Sequence, residues 1–477
     1  MSAFTNRASY DHGPYAPVVA ERTDPGLEID GELPAGLAGV FAQDAPNARF
    51  EPVGHAHWFD GDGMVHAVHI EGGRATYRNR WVHTAKLAAD TAAGGARKPG
   101  ILMPFDPADP EPEPDTANTD LVFHNGRLLA LWYLGGQPYA LDPVTLETLG
   151  PETFGGALDC GVAAHAKVCP VTGDLLFIDF GFRDAPWLRY GVADRHGALT
   201  HRLDIELPQP TFMHDIGVTQ NHTIFLDLPM TWDQPALARG RRRISFLRDC
   251  PSRFGVVSRH GDTVQWFETD PCYCYHTINA WEEQDADGHT VITLLGCRIE
   301  DPIPTTRHED EPDIPRLTFL RLQPFLWKWT FNLGTGAVTS EQLDDVPGEF
   351  PRMDDRFLGR HTALHWMPRI AKAPTLQFDG LIRHDTDAGS SRAHTFGDGL
   401  VGGESVFAPR PGSDREGDGW MLTFVHTQDG RRSMVRVLDA TSMERVCDIR
   451  LPHRVPFGFH ACWVPGDALG PPPAEAK

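Results

Sequence analysis

Short apolar segments joined by turn signals recur along almost the whole chain of 477 residues. The clearest lie at 68–78, 140–150, 192–203, 256–268, 330–340 and 437–449. In each, strand-forming residues flank a turn that contains glycine, aspartate or serine, a pattern that predicts a β-hairpin. A β-sandwich also contains hairpins. Because the series continues without a domain linker, it favours an all-β fold in which the sheets form one radial array.

The other patterns along the chain are few. Helical periodicity is limited to residues 84–92 and 236–243. Two stretches rich in proline and acidic residues, 104–115 and 300–315, predict irregular loops. We therefore expect a single domain over residues 25–465, an N-terminal extension over residues 1–24 and a flexible tail over residues 466–477.

Composition argues against some functions. The formal net charge of −22 disfavours nucleic acid as a partner, because its phosphates would be repelled. The eight cysteines are too sparse for a disulfide framework. The N-terminal residues lack the apolar segment of a secretion signal, and the apolar run at 128–134 is too short to span a membrane. We expect a cytoplasmic protein with at most a peripheral membrane contact.

One segment favours such a contact. Residues 235–246 combine the apolar Leu237, Ile244 and Phe246 with Arg239 and three consecutive arginines at 241–243. Apolar side chains beside arginines can rest at a lipid interface. The alternative is a solvated loop or helix face whose arginines pair with nearby acids.

Four histidines stand in distinct local settings: His165 in AAHAKV, His214 in FMHDIG, His276 in YHTINAWEE and His460 in GFHACWV. Four imidazoles without thiolate or carboxylate would suit a metal such as Fe(II). Their spacing does not form a local metal motif. The chain has 23 histidines, and a histidine is more often a surface or core residue than a ligand. The residues alone therefore leave both interpretations open.

The sequence motifs around these histidines resemble those of the carotenoid cleavage oxygenases. HWFDGDGMVHAV at 57–68, TANTDLVFHNGRLLALW at 116–132, EFPRMD at 349–354, GGESVFAPR at 402–410 and LPHRVPFGFHACWV at 451–464 follow the order of the family's motifs. The resemblance covers roughly residues 25–465 and implies a seven-bladed β-propeller. A helical and loop cap would cover one Fe(II) on the propeller axis, bound by the four histidines, with O2 as co-substrate.

The resemblance also implies roles for residues around the metal. Glu349 and Glu404 match glutamates that accept a hydrogen bond from the second ring nitrogen of a ligand histidine. At the place of a third such glutamate this chain has Tyr133, so either the tyrosine replaces it or another carboxylate does. Thr119 matches a threonine beside an open coordination position. Each of these residues could instead be purely structural.

The expected substrate is an apolar alkene. Phe59, Trp132, Trp187 and Trp281 could line a tunnel for a carotenoid or apocarotenoid, although each could equally be a core aromatic. Family members that cleave stilbenes or vinylphenols hold the phenol with a tyrosine and a lysine; here Trp132 stands at the lysine position. Aryl-alkene cleavage is the second candidate, and a retinoid isomerohydrolase or a non-enzymatic propeller are further alternatives. The sequence leaves the oligomeric state open.

Overall fold

Antiparallel β-sheet dominates the protein. The computed structural model describes residues 13–55, 57–109 and 115–470. Within these ranges the α-helices are Ala85–Ala93 and Gln234–Leu237. Short 3-10 helices cover Gly13–Tyr15, Trp58–Asp60, His308–Asp310, Asp355–Phe357 and Gly466–Ala468.

Four sheets are four-stranded meanders in which neighbouring strands follow one another along the chain. The first consists of Asp120–His124, Arg127–Leu131, Tyr139–Leu141 and Thr148–Pro151, and the second of Lys167–Val168, Leu175–Phe180, Leu188–Ala193 and Leu199–Ile205. The third consists of Ile216–Val218, His222–Asp227, Ser252–Ser258 and Gln265–Thr269. The fourth consists of Tyr273–Gln284, Thr290–Ile299, Phe325–Asn332 and Val338–Gln342. Met230–Trp232 pairs with Ile244–Phe246, and Arg316–Leu317 with Leu320–Arg321, as separate ribbons.

Two larger sheets combine the ends of the chain. In spatial order, one consists of Arg22–Pro25, Arg74–Trp81, Asp62–Glu71, Gly39–Asn47 and Ala461–Pro465. The other consists of Glu28–Gly31, Arg445–Arg450, Ser433–Asp439, Gly419–Thr427, Leu400–Pro409, Phe378–Asp385 and Leu364–Ile370, with Ser390–Thr395 paired to Phe378–Asp385. Each sheet therefore holds an N-terminal strand against a C-terminal one.

The hairpin predictions are confirmed, since antiparallel strands flank the turn in all six segments. The first helix is confirmed too. Its N-terminus is fixed by the Thr84 hydroxyl, which accepts the Leu87 N–H, and the chain turns left-handed at Gly94.

The second helix prediction is wrong beyond its first turn. The helix ends at Leu237, and the chain turns at Gly240, where φ is +69°. A side chain there would collide with the carbonyl oxygen of Phe105. Residues 244–246 then continue as a strand.

Most of the two predicted loops is irregular: no strand or helix is assigned over 104–109 or at 115, and residues 300–315 hold only a short 3-10 helix. Residues 110–114, and within the terminal predictions residues 1–12 and 471–477, lie outside the described residues. In the described part of the chain no helix is long and apolar enough to cross a membrane.

The four histidines occupy similar places in four different sheets. His165 and His214 each precede the first strand of a four-stranded meander by two residues. His276 lies inside the first strand of another, and His460 directly precedes Ala461–Pro465. Corresponding ends of separate sheets thus place residues that are distant in sequence near one another.

Candidate metal centre

The ring nitrogens of His165, His214, His276 and His460 converge, with one ligand atom from each lying within 4.8 Å of the others. Nε2 of His214 is 3.2 Å from Nε2 of His165 and 3.2 Å from Nε2 of His276. His165, His276 and His460 are buried, and His214 is partly buried. The fold thus brings together four of the residues that sequence reasoning selected.

Carboxylates fix the backbone beside these ligands. His165 has a φ of +68°, an unusual left-handed conformation for a residue other than glycine. Its N–H donates to Asp120 at 2.9 Å. Beside His276, the Thr277 N–H donates to Asp215 at 2.7 Å. The two acids anchor two ligand segments to neighbouring sheets.

Two glutamates face the second ring nitrogen of a histidine. Nδ1 of His276 lies 2.5 Å from Oε2 of Glu349, and Nδ1 of His460 lies 3.0 Å from Oε1 of Glu404. A carboxylate can only accept a hydrogen bond, so Nδ1 of each histidine carries the proton. In a neutral ring, Nε2 then has a free lone pair that can bind a metal ion.

His214 differs from these two ligands. Its Nδ1 is buried and has no hydrogen-bond partner among the described residues. The Tyr133 ring packs on Phe59 at 5.2 Å and on Trp132 at 5.4 Å instead. Among the described residues, neither Tyr133 nor a carboxylate is bonded to this nitrogen, and the role expected for Tyr133 stays a prediction.

The surroundings favour the neutral imidazole at three of the four histidines, His165, His214 and His460. Burial, followed by the proximity of the other histidines, holds the pKa of His165 and His214 well below the usual value, and burial does the same for His460. For His276, burial lowers the pKa, but the charge and hydrogen bond of Glu349 together outweigh it and give a net increase. Burial also raises the pKa of Glu404, an effect that Arg352 opposes.

The donor set fits a divalent transition metal. With Nδ1 protonated at His276 and His460, Nε2 of each of these two rings presents a lone pair to the other histidine nitrogens of the cluster. Imidazole ligands suit iron, zinc, copper and nickel. The arrangement is therefore a candidate metal centre.

Aromatic rings surround this centre. Tyr275 lies edge-on to His214 with 5.2 Å between ring centroids, and Phe350 lies 5.1 Å from His276 and 4.7 Å from His460. Phe59 contacts Phe459, the neighbour of His460, at 4.9 Å. These rings surround the histidine cluster with largely apolar surface.

A cavity of about 80 Å³ lies on the Phe59 side of the cluster. Two of the predicted substrate-binding residues, Phe59 and Trp132, lie in its wall. Two lysines in the wall are engaged in ion pairs, Lys86 with Asp62 at 2.7 Å and Lys98 with Asp109 at 3.0 Å. The wall is otherwise largely apolar.

Comparison with known proteins agrees with this geometry. Residues 15–465 match the family described as retinal pigment epithelial membrane protein. A carotenoid 9,10(9',10')-cleavage dioxygenase from Arabidopsis thaliana is 33% identical over 96% of this chain and 90% of its own length. The chain belongs to the carotenoid cleavage oxygenase family.

Other members of the family are similar over their full length. A carotenoid cleavage oxygenase from Mycobacterium tuberculosis is 31% identical over 97% of this chain and 99% of its own. The crystal structure of Pseudomonas brassicacearum lignostilbene dioxygenase is 30% identical, with a TM-score of 0.85 over 98% of this chain and 100% of that chain. A cobalt-substituted Synechocystis apocarotenoid oxygenase shares the fold, with a TM-score of 0.81 at 24% identity over 96% of this chain and 98% of that one.

Two other tryptophans predicted to bind substrate lie outside the cavity wall. Trp187 packs against the core cluster that contains Trp132, but it does not line the cavity. Trp281 belongs to a different core cluster and lies 4.9 Å from His361. Trp281 is therefore packed in the core of the protein, and its assignment to the substrate site stays a prediction. It is five residues beyond His276, further along the same strand.

The segment 235–246 also differs from the prediction. Leu237 and Phe246 are buried in the core and Ile244 is partly buried, so these side chains cannot enter a lipid layer. Arg242 packs over Phe105 at 4.6 Å. The arginines at 239, 241 and 243 remain exposed.

Sequence reasoning noticed the word EFPRMD but missed what two of its residues do. Phe350 contacts two of the histidine rings. Arg352 binds Glu404 through two hydrogen bonds of 3.1 Å each. Their position between Glu349 and the rest of the motif was the available signal.

Proposed function

We propose that the protein is a non-haem Fe(II) dioxygenase that cleaves a carbon–carbon double bond of a carotenoid or apocarotenoid with O2, giving two carbonyl products. The observation that carries this proposal is the convergence of four histidine nitrogens within 4.8 Å. Relatives named as carotenoid cleavage dioxygenases support the reaction class. One O2 and one alkene supply all the atoms of the two products, so no external reductant is required.

His165, His214, His276 and His460 would hold one Fe(II) per chain. When bound, the ion supplies redox activation of dioxygen while keeping its positive charge, since its four ligands are neutral. Glu349 and Glu404 keep the Nδ1 proton of two ligands in place. The aromatic rings around the cluster orient the alkene and exclude water.

Thr119 is proposed to border the open side of the metal. Its hydroxyl donates to the side chain of Asn118 at 2.9 Å and accepts the Tyr133 N–H at 3.1 Å. Its carbonyl accepts the N–H of His460 at 3.1 Å. The threonine is therefore fixed beside a ligand, and its methyl group can limit the space there.

The fold is proposed to be a seven-bladed propeller over residues 25–465, with the cap and the iron at one end of its axis. The four meanders and the five-stranded sheet would form five blades. The eight-stranded sheet would form two, because only one residue pair, Phe378 with Gly402, joins Phe378–Asp385 to Leu400–Pro409. Residues 1–24 and 466–477 would flank this domain.

The apolar wall of the cavity supports an apolar substrate. Phe59 and Trp132 offer apolar surface, which is what a polyene has to bury. A phenolate would need a positive partner, and both lysines in the wall are already paired with aspartates. Cleavage of a stilbene or vinylphenol is the second candidate, favoured by the likeness to a lignostilbene dioxygenase.

A peripheral membrane contact is proposed for the face around Leu102. This side chain is 47% exposed, and Val53 in the cavity wall is 43% exposed. Arg242 donates to the carbonyl of Met103, which places the arginine segment beside this apolar surface. A substrate dissolved in lipid would enter the cavity from this side.

A substrate panel tests the proposed function. Protein reconstituted with Fe(II) is incubated with apocarotenals and with hydroxystilbenes, while oxygen uptake and products are measured. We expect one O2 consumed per apocarotenal and two carbonyl fragments. Turnover of the hydroxystilbene alone would establish the second candidate. Ester hydrolysis without oxygen uptake would identify a retinoid isomerohydrolase and contradict the proposal.

A further inference from the structure

The segment Glu349–Arg352 contacts His276 directly and contacts Glu404, the hydrogen-bond acceptor of His460; the two histidines belong to different sheets. Glu349 Oε2 accepts from Nδ1 of His276 at 2.5 Å and from the Phe350 N–H at 2.6 Å. His276 lies in the strand Tyr273–Gln284. Through Glu349, its first residue, the segment is therefore bonded to His276, one of the four candidate metal ligands.

The second residue packs on two histidine rings. The Phe350 ring lies at 32° to His276 and at 38° to His460, with centroid distances of 5.1 and 4.7 Å. Its backbone has a φ of +54°, which non-glycine residues rarely adopt. Paired bridges on either side, Gly348 with Arg369 and Arg352 with Trp366, hold this conformation. Such local strain persists only where the surroundings fix it.

The fourth residue reaches the support of His460. Arg352 donates to both carboxylate oxygens of Glu404 at 3.1 Å and also to the carbonyl of Ala461. Glu404 in turn accepts from Nδ1 of His460 at 3.0 Å and from the Ala461 N–H at 2.5 Å. Arg352 therefore contacts the acceptor of His460 and the residue that follows it.

We propose that Glu349–Arg352 is one clamp that sets the orientation of His276 and His460 together, with Arg352 as a positioning residue that acts through Glu404. This inference rests on the proposed iron site. Glu404 is 2% exposed, so the guanidinium is the cation that compensates a buried carboxylate. Its planar fork also fixes the rotation of that carboxylate, and hence the direction of the His460 Nδ1–H bond.

The geometry requires a fork as well as a charge. Lysine would supply the charge, but it cannot bind both carboxylate oxygens and the Ala461 carbonyl in one plane. We therefore expect Arg352→Lys to fold and to bind metal less tightly, and Arg352→Met to lose more affinity. Residues that act through one partner are not additive, whereas independent sites are.

A double-mutant cycle on metal affinity tests the clamp. The dissociation constant of Fe(II) is measured by chelator competition for wild type, Arg352→Met, Glu404→Gln and the double variant. Each single change should weaken binding about 10- to 100-fold, as removal of a ligand's support does. The double variant should be little weaker than Glu404→Gln. Co(II) optical spectra of Arg352→Lys should also shift, because they report ligand geometry.

Arg436 provides the matched control. It forms the same two-bond fork with Asp448, at 2.8 and 3.0 Å, in the eight-stranded sheet, which carries none of the four histidines. Arg436→Met should lower the unfolding temperature without changing metal affinity, and Arg436→Lys should leave the Co(II) spectrum unchanged.

Several outcomes would overturn the clamp. One is that Arg352→Met binds Fe(II) as tightly as wild type. Another is that the double variant loses Fe(II) affinity by the product of the two single losses. A Co(II) spectrum of Arg352→Lys identical to wild type would also overturn it, and this variant decides the question if Arg352→Met fails to fold. Absence of 1:1 metal binding by the wild-type protein would instead contradict the proposed function.

Discussion

Nδ1 of His276 lies 2.5 Å from Oε2 of Glu349, and both residues are buried. A charge-assisted hydrogen bond of this kind fixes the tautomer and the ring orientation of a ligand before the metal binds. His460 has the same relation to Glu404, while His214 has no such partner among the described residues. The support of the four candidate ligands is therefore unequal.

The two glutamates are expected to determine metal affinity. Glu349→Gln and Glu404→Gln keep the side-chain shape but lose the charge, so Fe(II) affinity should fall about 10- to 100-fold in each. Chelator competition measures the change. Glu282→Gln is the matched control. Glu282 accepts a hydrogen bond of 2.6 Å from Nδ1 of His222, and neither residue belongs to the histidine cluster. Unchanged affinity in both site variants would make these glutamates purely structural.

Alanine at any of His165, His214, His276 or His460 should remove iron and abolish turnover, because each substitution deletes one of four ligands. Iron content is measured by elemental analysis after reconstitution and desalting. His365→Ala serves as the control: this histidine is fully buried and bonds Thr362, but it lies outside the cluster. A site variant with full iron content and rate would show that its histidine is not a ligand.

The hairpins could be predicted from the sequence because their turns are local. Residues 68–78 specify both strands and the turn between them, and the Thr84 cap likewise defines a helix start. The helix predicted at 236–243 failed because a tertiary contact decides it. Gly240 turns against Phe105, which is distant in sequence.

The candidate metal centre could not be predicted from spacing, since its four histidines come from four sheets. Only the words around the histidines indicated it. Those motifs did not reveal that Nδ1 of His214 has no acceptor among the described residues, or that Arg352 binds Glu404, because both facts depend on how separate sheets pack. The surroundings of Trp281 were equally unpredictable, because an aromatic residue in a strand gives no sign of which core it enters.

Tyr133→Phe tests whether the tyrosine hydroxyl supports His214, whose Nδ1 has no hydrogen-bond partner among the described residues. The structure gives no hydrogen bond from the tyrosine to His214, so removal of the hydroxyl should leave Fe(II) affinity within about a factor of two of wild type. Tyr133→Glu should keep iron but raise KM, because the ring packs on Phe59 in the cavity wall. Loss of metal affinity in the phenylalanine variant would show that the phenol does support a ligand.

The exposed arginines beside Leu102 should govern binding to anionic lipid. Each contributes about 1 kcal/mol near a negative surface, so changing Arg239, Arg241 and Arg243 to glutamine should weaken binding roughly 100-fold. Cosedimentation with vesicles of phosphatidylcholine and phosphatidylserine measures it. Leu102→Ser should weaken binding independently of salt, because its contribution is apolar.

A charge-matched variant separates this local effect from net charge. Glutamine at Arg392, Arg431 and Arg432 removes three exposed arginines from hairpins elsewhere on the protein. If the face around Leu102 meets the membrane, this variant should bind vesicles like wild type. Equal losses in the two triple variants would mean that only overall charge matters, and no binding by the wild-type protein would remove this face as a membrane contact.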